Sequence, residues 1–229
     1  MTSRDYILQQ FLNRRPHPSY LEIGVARGSS FFPVRASRKV AVDPRFRFPF
    51  YKRLHPRELL CSHFYPVTSD EFFQNSVQLY PAGFDVIYID GLHTHAQTMK
   101  DVENSLLHLK PDGRIVLHDC NPTSAEMAVP AMSYAEAKQK NPPWPGDWCG
   151  DCWKTVVKLR STRADLDIVV FDCCYGVGVV KRVDGQSAPL KNKVDTATLT
   201  YEDLARNRQE WLNLYPESEI DRVLGFAGS

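Results

Sequence analysis

Two stretches of this sequence gather side chains that can do chemistry. "FDVIYIDGLHTH" (84–95) leads an apolar run into Asp90, a turn at Gly91 and then His93. "GRIVLHDC" (113–120) leads another into His118, Asp119 and Cys120. A histidine three residues beyond a carboxylate combines a group that titrates near neutral pH, suited to general-base work, with one that orients it or holds a metal. If the two apolar runs are neighbouring strands, their polar ends fall at one sheet edge. Asp90, His118 and Asp119 would then offer a divalent cation oxygen and imidazole ligands, carboxylates favouring magnesium or manganese and imidazole the softer transition metals. A plainer reading is equally open: Asp90 and Asp119 cap the helices that follow or accept from backbone amides.

Two earlier stretches have the chemistry of ligand binding. "LEIGVARGSS" (21–30) ends a strand with Glu22 and turns through Gly24 and Gly28, residues that let a backbone approach a ligand closely. The spacing is not G-x-G-x-x-G, so a pyrophosphate site is not indicated. About twenty residues on, "VAVDPRF" places Asp43 where an acidic side chain takes the two hydroxyls of a ribose. Together these favour a nucleoside-containing cofactor. In "VTSDEFF", Ser69 and Asp70 stand where a helix begins, which makes them capping residues first and ligand contacts second.

These stretches need elements to position them. Apolar runs at 20–23, 39–42, 64–67, 84–89, 114–117, 167–171 and 176–181 read as strands. Segments of helical period lie at 3–14, 28–34, 69–79, 95–109, 131–140, 151–162 and 200–214. The clearest is 95–109, where Met99, Val102, Leu106 and Leu109 share a face and "KPDG" supplies a stop. Alternation of this kind gives an α/β fold with a mostly parallel sheet of seven strands, doubly wound by helices. The last two strands are joined by too few residues for a parallel crossover, so they form a C-terminal antiparallel hairpin.

The 229 residues, 43% of them hydrophobic, suit one α/β domain spanning 1–229, with 1–17 and 198–229 as helical additions. The C-terminal addition reads as two short helices that cover a sheet edge or form a dimer contact, which leaves homo-oligomerisation open. The 28 basic and 27 acidic residues nearly cancel, pointing to a small-molecule or protein substrate rather than nucleic acid. No signal-like or membrane-length apolar run is present, so the expected setting is cytoplasmic, with no membrane partner.

The same residues carry a family resemblance. "YLEIGVARGSS", "VAVDP", "FDVIYIDGLHTHAQTMKDVENSLLHLKPDGRIVLHDCNP" and "GDCWKTVVKLR" resemble class I S-adenosylmethionine-dependent methyltransferases. Within that class they are most similar to small-molecule O-methyltransferases with an I-D-G-x-H motif, the group that includes the macrolide-sugar enzymes. The resemblance spans about residues 18–182. It implies a Rossmann-like fold and methyl transfer to a hydroxyl of a sugar or natural-product-like molecule. Glu22, Gly24 and Gly28 would lie beside the methionine and ribose parts of the cofactor, Asp43 on the ribose, and Ser69 with Asp70 near the adenine. In metal-dependent members the corresponding residues bind magnesium; here they are Asp90, His118 and Asp119, with His93 as base and Asp90 beside it in catalysis. His118 departs from the pattern, since those enzymes have a carboxylate there, which opens the choice between magnesium, another divalent metal and none.

Other readings compete. A protein of the same fold that has altered or lost catalysis remains open, because fold alone does not establish activity. "WCGDC" has thioredoxin-like spacing, and Cys149 with Cys152 could serve redox chemistry or, with Cys173 and Cys174, bind zinc, although adjacent cysteines suit tetrahedral zinc poorly. Tyr134 and Lys138 match the Y-x-x-x-K of short-chain dehydrogenases without the accompanying glycine-rich turn. Trp144, Trp148 and Trp153 either form an aromatic lid over the acceptor or pack against the sheet.

Overall fold

The computed structural model describes residues 2–142, 146–185, 187, 190 and 194–226. The chain divides into two compact units: residues 1–91 with 100–116, and residues 92–99 with 117–229.

In the first unit, β1 (Ser19–Ile23), β2 (Arg38–Val42), β3 (Ser62–Tyr65), β4 (Phe84–Ile89) and β5 (Leu109–Leu117, whose last residue falls in the second unit) follow the order β3-β2-β1-β4-β5. β1 pairs in parallel with β2 and β4, and β2 with β3. Every residue of β1 and β4 is buried. Continuous burial of this kind marks strands covered on both faces, and explains why they read as apolar runs rather than alternating ones. α1 (Ser3–Asn13) starts at Thr2, whose hydroxyl accepts from the Asp5 amide at 3.3 Å. It buries Ile7, Leu8, Phe11 and Leu12, one apolar stripe of a 3.6-residue period.

α2 (Pro56–Cys61), α3 (Ser69–Asn75) and α4 (His95–His108) complete the connections. The second unit holds α5 (Tyr134–Lys140), α6 (Trp153–Thr162), β6 (Leu166–Asp172), β7 (Val177–Arg182), α7 (Tyr201–Leu212), β8 (Leu214–Pro216) and α8 (Ile220–Leu224). Its strands lie in the order β7-β6-β8. β6 and β7 form the expected antiparallel hairpin, with Val169 opposite Val179. The chain reverses through Cys174, Tyr175 and Gly176, all at positive φ. Among the described residues no helix is long and apolar enough to cross a membrane.

The mostly parallel α/β architecture is as expected, with eight strands among the described residues rather than seven. The extra one, β8, is three residues paired parallel to β6, too short to leave a pattern in the sequence. Residues 28–34 form turns, not a helix. Gly28 sits at φ +71°, outside the helical region, and Pro33 has no N–H to donate. The missed α2 begins with proline at its first position, where a helix lacks an acceptor for that N–H anyway. "LKPDG" belongs to β5 rather than to a helix end.

Gly24 fixes how β1 ends. It has φ +87°, and a Cβ there would lie 1.9 Å from the Asp90 carbonyl oxygen. Gly24→Ala is therefore expected to destabilise the fold by about 3 kcal/mol or more, combining backbone strain with a steric clash. Urea denaturation measures it; an unchanged midpoint would contradict this close approach.

Candidate active site

The register of the first unit sets its binding edge. Ile23 is level with Val42 on β2 and with Ile89 on β4, so the next residues, Gly24, Asp43 and Asp90, stand side by side at the carboxyl ends of parallel strands. Backbone bonds continue past the strands, from Gly24 N to Val42 O at 2.8 Å and from Asp90 N to Ile23 O at 2.9 Å. Ligands of open α/β sheets bind at this edge.

Asp43 is 8% exposed, and its two oxygens accept from the backbone amides of Ala26 (2.8 Å) and Arg45 (2.6 Å). It thereby holds the turn after β1, where Ala26 adopts φ +44°. A carboxylate accepts about four hydrogen bonds, so this structural duty leaves capacity for a diol. Gly28 shares the turn, its amide bonded to Val25 O at 2.7 Å.

Glu22 is wholly buried, with the Tyr20 hydroxyl donating to one oxygen and the Ser30 hydroxyl to the other, each at 2.5 Å. Burial pushes its carboxyl up to about 7; the hydrogen bonds from Ser30 and Tyr20 oppose the shift, and Asp90 adds to it. Asp90 accepts from the Tyr88 hydroxyl at 3.1 Å, and the Arg4 guanidinium lies 5.8 Å from the centre of the Tyr88 ring. Sequence reasoning did not single out Arg4, Tyr88, Tyr20 or Ser30, because a polar group inside a covered strand or on an ordinary helix gives no pattern.

At α3 the capping expectation needs correcting. Thr68, not Ser69 or Asp70, is the N-cap, and its partner in the capping box is Glu71. The Ser/Thr-x-x-Glu spacing of Thr68 and Glu71 was the available signal. Ser69 is buried in the first turn, while Asp70 is half-exposed and 3.5 Å from the Lys100 ammonium.

The second unit brings His93, His118 and Asp119 together. Asp119 is only 4% exposed. His93 Nδ1 lies 3.2 Å from one of its oxygens, and His118 Nδ1 lies 3.1 Å from the other. His93 Nδ1 is also 3.0 Å from the Trp148 carbonyl oxygen, and the indole of Trp148 stacks on the imidazole, centroids 5.0 Å apart. Both near neighbours of His93 Nδ1 are acceptors. A neutral imidazole therefore keeps its proton on Nδ1 and carries the lone pair on Nε2, the nitrogen a general base uses.

Backbone conformation marks the same two residues. His93 has φ +56° and Asp119 φ +57°, costly for side chains of this size unless the surroundings enforce them. Here they do. Asp151 N donates to His93 O, while Asp151 Oδ1 accepts from His95 N at 2.6 Å, at the start of α4. Gly150 has room for no side chain, since a Cβ would fall 1.8 Å from His93 O. Cys120 N and Asn121 N donate to the carbonyls of Gly176 and Tyr175, fixing the segment after Asp119.

Cys149 and Cys152 supply protonated thiols, not thiolates. Burial is the main force holding Cys149 and Cys152 well above the ordinary thiol range, and nearby Asp119 adds to it for both. Redox-active cysteines require the opposite shift. No disulfide joins any of the six, and among the described residues no group of potential metal ligands includes a cysteine. Trp153 is buried and Trp148 half-buried; Trp144 lies outside the described residues.

Glu22 yields a pH-dependent prediction. Its folded carboxyl is raised from 4.5 to about 7, so the stability tied to its protonated form is complete below pH 4.5 and is lost as pH rises through 7. Glu22→Gln is expected to remove this decline. Urea unfolding of both proteins across that window measures it, and parallel pH profiles would contradict the burial-driven shift.

Residues 21–120 match a family model described as a methyltransferase domain. No curated protein matches the chain. The O-methyltransferase TomG from Streptomyces achromogenes, solved in complex with SAM, is 13% identical, with a TM-score of 0.54 over 79% of this chain and 80% of that one. The O-methyltransferase from Bacillus cereus, solved in complex with SAH, is 12% identical, with a TM-score of 0.52 over 77% and 78%. Residues 21–120 thus match a methyltransferase-domain family model, and the chain shares its Rossmann-like fold with solved O-methyltransferases.

Proposed function

We propose that this protein transfers the methyl group of S-adenosylmethionine to a hydroxyl of a small molecule, with His93 as general base. The observation that carries the proposal is the imidazole of His93, whose Nδ1 faces two acceptors and whose Nε2 therefore bears the lone pair. The matched methyltransferase domain and the fold supply the reaction class.

The first unit fits the cofactor. Gly24 and Gly28 form a turn without side chains beside the carboxyl ends of β1 and β2, and Asp43 has acceptor capacity for a ribose diol. Glu22 stands behind the turn, and Ser69 with Asp70 opens α3, where the adenine would lie. S-adenosylmethionine, when bound, supplies an activated methyl group. The protein's own tasks are to hold the acceptor oxygen in line and to take its proton. His93 takes that proton on Nε2, and the imidazolium so formed is stabilised by the Asp119 carboxylate beside Nδ1.

The donor chemistry fits magnesium poorly. One oxygen of Asp119 lies 3.2 Å from His93 Nδ1 and the other 3.1 Å from His118 Nδ1. A hard cation would compete with both histidines for those oxygens. Asp119 therefore serves better as the carboxylate that orients His93 and His118 than as a ligand, and Asp90 serves as an acceptor at the end of β4.

Methyl transfer from labelled S-adenosylmethionine to a panel of small-molecule alcohols and phenols tests the reading. Absence of both cofactor binding and transfer would refute it. His93→Ala should lower turnover about 100-fold or more while leaving cofactor affinity near wild type. Asp43→Ala should instead weaken cofactor binding; unchanged calorimetric affinity would remove Asp43 from the ribose role. Turnover should persist in excess chelator, and its loss with recovery on adding magnesium would return Asp119, His118 and Asp90 to a metal role.

A further inference from the structure

The balanced overall charge conceals a local surplus. Between residues 44 and 61 stand Arg45, Arg47, Lys52, Arg53 and Arg57 against a single acid, Glu58. Glu58 is buried and already answered by Lys39 at 3.1 Å and Arg57 at 2.8 Å.

The same stretch carries outward apolar side chains. Phe50, Tyr51 and Leu54, on a 3-10 turn at Phe50–Leu54, and Leu59 and Leu60 on α2 are each at least half exposed, Leu60 by 88%. These five, within eleven residues, are nearly half of the eleven large apolar side chains exposed among the described residues. Singly scattered exposure needs no explanation; a cluster does.

The cluster rests on a firm base. The Arg53 guanidinium lies 4.6, 5.2 and 4.9 Å from the ring centres of Phe46, Phe48 and Phe64, and Arg57 donates to the Phe32 carbonyl. Lys39, wholly buried, lies 4.1 Å from the centre of the Phe31 ring. Core packing has thus taken up the inner aromatic residues and left the outer five presented. Arg45 and Arg47, a few residues earlier in the chain, are exposed.

We propose that this face docks in the plane of an anionic lipid bilayer. Phenylalanine, tyrosine and leucine insert into the boundary between headgroups and acyl chains, while arginine and lysine remain with the phosphates. A two-fold contact with a second copy would set the same cationic surplus against itself. The docking is peripheral and needs no membrane-spanning helix.

Co-sedimentation of the full chain with phosphatidylcholine vesicles, with and without phosphatidylglycerol, tests the proposal. Binding is expected to the mixed vesicles alone and to weaken with salt. It should fall at least about tenfold both in a Phe50→Ser, Leu60→Ser variant and in an Arg45→Glu, Arg47→Glu variant. Each variant should unfold thermally as the wild type does, and the arginine pair keeps the test decisive if the apolar pair does not fold. No binding by folded wild type, or binding that neither variant reduces, would overturn the proposal. So would a dimer in sedimentation velocity abolished by the apolar variant, which would assign the face to a second copy. Equal affinity for polyglutamate, insensitive to the apolar variant, would instead indicate an acidic protein surface and would overturn it as well.

Discussion

A buried carboxylate is the constraint around which the second unit is arranged. Asp119 is almost removed from water, where an uncompensated negative charge would be prohibitive, so donors must surround it. Two imidazole nitrogens lie within 3.2 Å of its oxygens, and the buried thiol of Cys149 donates to it. This compensation also bears on the proposed role of His93. The proton needed on His93 Nδ1 to face Asp119 and the Trp148 carbonyl leaves the basic lone pair on Nε2. Gly150 and Asp151 then hold the His93 backbone in a conformation that it would not adopt alone.

The first unit obeys a related rule at the ends of its parallel strands. β1, β2 and β4 end level, and backbone bonding continues one residue beyond them. That continuation demands a close approach of Gly24 to the Asp90 carbonyl, which no side chain permits. Asp43 holds the following turn through two backbone amides, so the residue proposed for the ribose is already positioned before any ligand arrives. Glu22 is fixed from both sides by hydroxyls, and its burial ties the binding edge to pH.

Much of this was legible in the sequence, for identifiable reasons. Strands buried on both faces write themselves as apolar runs, and all seven expected strands exist. Their polar ends placed Asp43, Asp90, His118 and Asp119 just past strand ends, as observed, while Glu22 lies inside β1. Where local signals competed, reading by pattern failed. The turns at 28–34 looked helical because glycine at positive φ leaves no mark in periodicity. The cap of α3 went to Ser69 and Asp70, although the capping-box spacing belonged to Thr68 and Glu71. β8 and α2 were too short to register, and a net charge near zero hid the cationic, apolar face at 44–61.

The sequence by itself determined the α/β alternation, the antiparallel hairpin and which residues are candidates for chemistry, because each follows from neighbours a few positions away. What surrounds those residues was decided only in three dimensions. His93 and Trp148 are 55 residues apart in the chain, and Gly150 lies beside the His93 carbonyl just as remotely. Asp119 read as a metal ligand while only its type was known. The fold buries it with an imidazole nitrogen close to each of its oxygens, because the partners available to a charge depend on folded contacts rather than on sequence order.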